Sequence, residues 1–282
     1  SFKGKLHSRT LESLVKEVTN LVKKGYKDFS FVSQDSSSYL RDLGHNDGLE
    51  QLIDAVEKID GVKTARILYL YPSTTTLNLI DKIADSKVFV NYFDMPLQHI
   101  SQNMLKIMKR GKGAEKLIEL MNYMKSKPNS FVRTTFIAGH PGESEEDFEE
   151  LCSFVEEFGF DRGNVFSYSD EEGTSAETRD DKIEQELIDE RAEILGDIIS
   201  QTTIKSLEND IGKSFEVYID GESEEHEYLL SARKTIWAPQ IDGEIYINDN
   251  EGNLPIVFGE IYEVEATQLA GDKLLAKIIR KV

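Results

Sequence analysis

The chain has 282 residues, 39% of them apolar, enough for one large domain or for a large and a small one around a buried core. No apolar run approaches the roughly 18 residues of a membrane span, and a single cysteine, Cys152, excludes an intrachain disulfide, so a cytoplasmic protein is expected. A net charge of −19, from 33 Lys and Arg against 52 Asp and Glu, argues against broad attraction to nucleic acid and leaves room only for a local basic patch.

TLESLVKEVTNLVKKG carries Leu11, Leu14, Val18, Leu21 and Val22 at helical spacing, with Gly25 as a stop. The apolar run FSFVSQD comes next. A second helix, DGLEQLIDAVEKIDG, leads to ARILYLYP, and a third, STTTLNLIDKIAD, leads to VNYFDMPLQHIS. The helices MLKIMKRG and AEKLIELMNYMKSK precede FVRTTFIAG, and SEEDFEELCSFVEEFG precedes NVFSYS. Alternation of this kind predicts a parallel sheet wrapped by helices. Each run ends in polar or special residues: Ser33, Gln34 and Asp35; Tyr71 and Pro72; Gln98 and His99; Gly139, His140 and Pro141; Ser167, Tyr168 and Ser169. In (β/α) barrels the C-terminal strand ends build the active site.

Residues 183–209 predict a long amphipathic helix with Leu187, Ile194, Leu195, Ile198 and Ile199 along its buried stripe. From Ile211 the character changes to short alternating runs, SFEVYIDG, HEYLLSAR, GEIYIND, EIYEVEATQLAG and KLLAKIIR, separated by Gly, Asn and Asp. They predict a small all-β barrel or sandwich. With seven Lys or Arg against fourteen Asp or Glu, this segment favours a protein partner or structural support over RNA.

Several local chemistries are weak. GHPG lacks the Lys–Ser/Thr pair of a phosphate-binding loop, and the helix after it opens with Ser144, Glu145, Glu146 and Asp147, whose carboxylates would repel a phosphate. His99 and His140 lack a third metal ligand at a recognisable spacing, and cavity-lining or hydrogen-bonding roles suit them better. Cys152, between Leu151 and Phe154 on a helix, suits a buried apolar role. Lys106, Lys109, Arg110, Lys112 and Lys116 form the one basic cluster, a solvated face or a docking patch.

YFDMPLQHIS, FVRTTFIAGHPGESEEDF and VFSYSDEEGTSA, in that order, resemble motifs of the radical S-adenosylmethionine (SAM) methylthiotransferases. The opening SFKGKLHSRTLESLVKEV resembles the segment just after that family's cluster-binding cysteines. QDSSSYL and PLQH are nearer the branch that modifies a ribosomal protein than the tRNA-modifying branch, and APQIDGEIYIND resembles the former's TRAM domain. The likeness covers essentially the whole chain. The family's CxxxCxxC motif and its N-terminal cluster domain are absent, and His140 replaces the aromatic residue usual in GFPGE.

The resemblance implies an α/β fold: a partial (β/α) TIM-like barrel of the radical SAM type over residues 1–208, lacking its first strand and cluster-binding loop, then a small all-β, OB-like TRAM barrel over 209–282. It implies SAM and, in the full-length family, two 4Fe–4S clusters, neither ligated by cysteines of this chain. A chain truncated at its N-terminus and inactive alone is the expectation. The implied reaction inserts a methylthio group at the β-carbon of an aspartate on the twelfth small-subunit ribosomal protein, with the ribosome as a possible partner and no membrane. By motif, Ser33 and Gln34 meet the methionine end of the cofactor and Arg133 its carboxylate. Ile137 and Gly139 pack on the adenosine, and Gln98 and Tyr168 complete the pocket. No catalytic side chain and no metal ligand is assigned. A tRNA adenosine methylthiotransferase and a non-catalytic binding module are the alternatives.

Overall fold

The structure, a computed structural model, describes residues 4–111, 113–250 and 252–282. The chain divides into two compact units, one up to Ile199 and one from Ser200.

In the first unit helices and strands alternate as α1 (Leu11–Lys23), β1 (Asp28–Phe31), α2 (Gly48–Val56), β2 (Thr64–Ile67), α3 (Leu77–Ala84) and β3 (Phe89–Asp94). Then come α4 (Gln102–Ile107), α5 (Ala114–Lys125), β4 (Phe131–Ala138), α6 (Glu145–Phe158), β5 (Arg162–Ser167) and α7 (Gln185–Glu208), whose residues from Ser200 on belong to the second unit. The helix starts have local causes. Thr10, Thr76, Ser101 and Ser144 each accept a backbone N–H of the first turn, and Ser144 with Asp147 forms a full capping box.

The five strands pair in parallel in chain order, β1-β2-β3-β4-β5, as a half-barrel sheet. Alternation then sorts side chains onto two faces. Phe29, Ala65, Ile67, Phe89, Phe93, Val132 and Phe136 join the apolar core with Leu52, Ile53, Ile80 and Leu117 of the helices. The other face is polar and aromatic. On it Arg66, fully buried, pairs with Asp28 at 2.7 Å, and Tyr92 stacks on Phe131 with centroids 5.4 Å apart.

The long helix departs from the sequence expectation. Leu187 and Ile194 are exposed, while Ile188, Arg191, Leu195 and Ile199 are buried. Charge alone would keep an arginine out of an apolar stripe, but here it has a buried partner, Glu143, at 2.8 Å.

The second unit is a closed barrel of five strands, ordered β10-β8-β7-β6-β9: β6 (Ser214–Glu222), β7 (Leu230–Lys234), β8 (Ile245–Asn250), β9 (Ile261–Ala270) and β10 (Lys273–Lys281). Val217, Ile219, Ile245, Val264, Leu274 and Ile278 fill it, the inward half of each alternating run. Closure of the sheet leaves no strand edge open.

Candidate active site

Two adjoining cavities open at the C-terminal ends of the five parallel strands. One, of about 670 Å³, is lined by Ser33, Gln34, Tyr69, Arg133 and Asn164 among others. The second, of about 520 Å³, is lined by Ile137, His140, Tyr168 and Ala176 among others. Gln98, Arg110 and Phe166 border both, so the two are compartments of one groove.

Four of the sequence-predicted residues, Ser33, Gln34, Gln98 and Arg133, line the first compartment, and Ile137 and Tyr168 line the second with Gln98. Gly139 borders neither. It has φ 78°, and a Cβ there would lie 2.6 Å from Ile188 Cγ1. Gly142 likewise has φ 88° and would meet Arg179 Nη2 at 2.8 Å. Both glycines give close approach to the segment after β5.

Arg133 is buried, and its Nη1 lies 3.2 Å from Asp94 Oδ1 of the neighbouring strand. Its charge therefore faces a carboxylate of the protein. Arg110 differs: its guanidinium stands over the Tyr71 ring, 5.2 Å from the centroid, and no carboxylate of the described residues pairs with it. Sequence reading places Arg110 only in a basic cluster. Of that cluster, Lys106 and Lys109 line a separate recess of about 370 Å³, Lys116 is exposed, and Lys112 lies outside the described residues.

Tyr69, Thr135, Asn164 and Phe166 were also missed. Strand periodicity could have found the last three, since Arg133, Thr135 and Ile137 align in register with Arg162, Asn164 and Phe166. Tyr69 and Gln98 are left-handed, with φ 59° and 70°, a backbone state that no residue pattern announces.

His99, Ser101, Glu143 and Arg191 form a buried polar layer. The Ser101 N–H donates to His99 Nδ1 at 3.0 Å, which leaves Nε2 to carry the ring proton. Nε2 is 3.2 Å from Glu143 Oε1, off hydrogen-bond alignment. Glu143 Oε2 accepts from the Gly139 N–H at 3.0 Å and from Arg191 at 2.8 Å, and Arg191 also reaches Glu145 at 2.9 Å. His140 packs edge-on against Tyr168, with centroids 5.0 Å apart, and its Nδ1 is 2.9 Å from the Pro141 carbonyl. Burial lowers the His140 pKa, so the ring is held neutral. Burial, and then the hydrogen bond to Asp170, push the Tyr168 hydroxyl up to about 12.

Serines 36–38, read as part of a motif, are structural. Ser36 donates to the Leu68 carbonyl at 2.5 Å, Ser37 accepts from the Tyr71 N–H at 2.9 Å, and Ser38 donates to Asp35 at 2.5 Å. They staple the loop after β1 to the end of β2.

Among the described residues no group of His, Cys, Asp and Glu is suited to hold a metal. Cys152 is half-buried in α6, and burial pushes its thiol up to about 11, the opposite of what thiolate ligation needs.

Residues 1–155 match the model of the radical SAM superfamily. The chain belongs to the radical SAM superfamily. Residues 211–279 match the TRAM domain. A protein of Aliarcobacter butzleri named ribosomal protein uS12 methylthiotransferase RimO is 79% identical over 282 residues, covering 99% of this chain and 63% of that protein. Proteins of the same name from Sulfurovum sp. and Campylobacter jejuni are 61% and 55% identical, each covering 100% of this chain and 64% of the relative. The chain thus spans a little under two thirds of these relatives. Among solved structures, the radical SAM enzyme coproporphyrinogen III oxidase (HemN) of Escherichia coli superposes with a TM-score of 0.51 at 17% identity, over 71% of this chain and 45% of that one. It shares the half-barrel fold. The expected radical SAM half-barrel and closed TRAM barrel are therefore both present.

Proposed function

We propose that this chain is the SAM-binding and TRAM portion of a methylthiotransferase that acts on an aspartate of ribosomal protein uS12. The observation that carries the reading is the 79% identity to a protein of that name along nearly the whole chain, through both units. The groove at the strand ends suits the cofactor. Ile137 offers an apolar wall for the adenine, Gln98 and Tyr168 offer polar contacts, and Ser33 and Gln34 stand where the methionine end would lie. The cofactor carboxylate is better assigned to Arg110 than to Arg133, because Arg133 already faces Asp94. Gly139 would act through its backbone, since Ile188 fills its side-chain position.

SAM supplies, when reduced, a radical able to abstract hydrogen from an unactivated carbon. The residues named bind and orient it. The thiolates that a 4Fe–4S cluster requires are not among the described residues, so the chain by itself is expected not to cleave SAM. Its partner is the ribosomal protein rather than free nucleic acid, since the acidic C-terminal segment would repel phosphate.

Mass spectrometry of uS12 from a strain deleted for the gene tests the reading. Loss of the methylthio group from the aspartate is expected, and an unchanged level overturns it. Loss of methylthio groups from tRNA adenosine instead would establish the tRNA branch.

A further inference from the structure

Tyr69 stands just past the end of β2 in the left-handed region, φ 59°, where the Cβ of any residue but glycine is crowded. Such a conformation persists only where its surroundings over-determine it. Here each neighbouring backbone group is held. The Tyr69 N–H donates to Asp94 Oδ2 at 3.0 Å, the Tyr69 carbonyl accepts from the Ser36 N–H at 3.0 Å, and the Leu70 N–H donates to the Asp94 carbonyl at 2.8 Å. Asp94 is fully buried, a costly place for a carboxylate, and Arg133 supplies the opposite charge at 3.2 Å from its second oxygen.

The consequence is a tyrosine left 38% exposed on the wall of the 670 Å³ compartment. No described residue hydrogen-bonds its phenolic oxygen. Asn164 and Phe166 of β5 line the same compartment, both exposed, and the Asn164 amide also has no partner among the described residues. An open hydroxyl, an open amide and an exposed aromatic ring suit a polypeptide segment, whose main chain offers donors and acceptors and whose side chains offer apolar contact. Ile137 and Tyr168, suited to the adenosine, line the other compartment, and Ser33 and Gln34, suited to the methionine end, share this one with the peptide.

We infer that Tyr69 is a substrate-recognising residue for a polypeptide, and that the buried Asp94–Arg133 pair is a positioning pair acting through it. The inference rests on the ribosomal-protein reading above.

The test uses the full chain, a fluorescent synthetic peptide of uS12 spanning the modified aspartate, and SAM binding by equilibrium dialysis. Tyr69→Ala is expected to weaken the peptide about tenfold and Tyr69→Phe about threefold, the scale of losing one aromatic contact and one hydrogen bond, with SAM affected less than about twofold. Asp94→Asn is expected to match Tyr69→Ala for the peptide, and the double variant to lose no more, because both act on one contact. Unchanged peptide affinity in Tyr69→Ala, or an equal loss of SAM affinity, overturns the role of Tyr69. Additive losses overturn the role of Asp94. Should Asp94→Asn fail to fold, Arg133→Gln serves in the same cycle. A parent chain that does not bind the peptide overturns the ribosomal-protein reading, and this inference falls with it.

Discussion

Ile188 of α7 occupies the space a side chain at Gly139 would need, with an ideal Cβ falling 2.6 Å from Ile188 Cγ1 and 2.8 Å from Cγ2. The glycine at the end of β4 is thus required by the docking of a later helix as well as by its own φ of 78°. Gly139→Ala is expected to destabilise the first unit by about 2–4 kcal/mol, through left-handed strain and overpacking together. Ile188→Ala in the same chain should restore part of that loss by making room. Thermal or urea unfolding of the single and double variants checks it, and a neutral Gly139→Ala would show that the contact relaxes freely.

Arg191 and Glu143 form an ion pair with both side chains out of solvent, 4% and 0% exposed. Arg191→Met removes the positive partner and leaves a carboxylate in the interior, an effect on the order of 3–5 kcal/mol. Adding Glu143→Gln should recover part of this, since no buried charge then remains uncompensated. Glu143 also accepts the Gly139 N–H, so recovery stays incomplete. A double-mutant cycle from urea unfolding gives the coupling, and a double variant worse than Arg191→Met alone would contradict the assignment.

His140 is buried beside Tyr168, and its pKa is lowered first by burial, against the opposing hydrogen bond to the Pro141 carbonyl. The unfolded chain therefore binds a proton at a higher pH than the native one does. The stabilisation is complete above the ordinary histidine pKa of about 6.5 and is lost as pH falls through the native value. His140→Phe, the aromatic type that the family resemblance favours there, should flatten this part of the stability–pH curve. Melting temperatures from pH 7.5 to 5 check the slope, and parallel curves for parent and variant would rule out the titration.

Arg110 is the cation of the groove without a protein carboxylate among the described residues. Arg110→Gln is expected to weaken SAM binding by about 1.5–3 kcal/mol, roughly ten- to a hundredfold, the range of a charge-assisted hydrogen bond. The melting temperature should barely change, because the guanidinium stabilises little beyond its contact with Tyr71. Equilibrium dialysis with labelled SAM makes the measurement. An unaltered affinity would return the carboxylate to Arg133 or to the backbone.

The alternation of helical and extended runs made the parallel sheet legible, and the polar ends of the runs made its C-terminal edge legible as the groove. Ser33, Gln34, Gln98, Ile137 and Tyr168 stand on that edge because a parallel sheet puts all such ends on one side. The buried stripe of α7 was not legible, since Arg191 becomes a core residue only through Glu143, 48 positions away in the chain. The role of Gly139 was hidden for the same reason, as its partner Ile188 lies beyond β5 and the segment after it.

The sequence by itself determined the element order, the division into a parallel α/β sheet wrapped by helices and an acidic all-β segment, and the sheet edge at which the groove opens. Those properties come from periodicity and composition, which are local. Only the tertiary structure decided which charge is available to a ligand. Sequence reading gives Arg133 to the cofactor carboxylate and Arg110 only to a basic cluster, but the pairing of β3 with β4 sets Asp94 against the first, while no described carboxylate reaches the second. Charge compensation is a matter of a few ångströms between distant segments, and no residue pattern carries it.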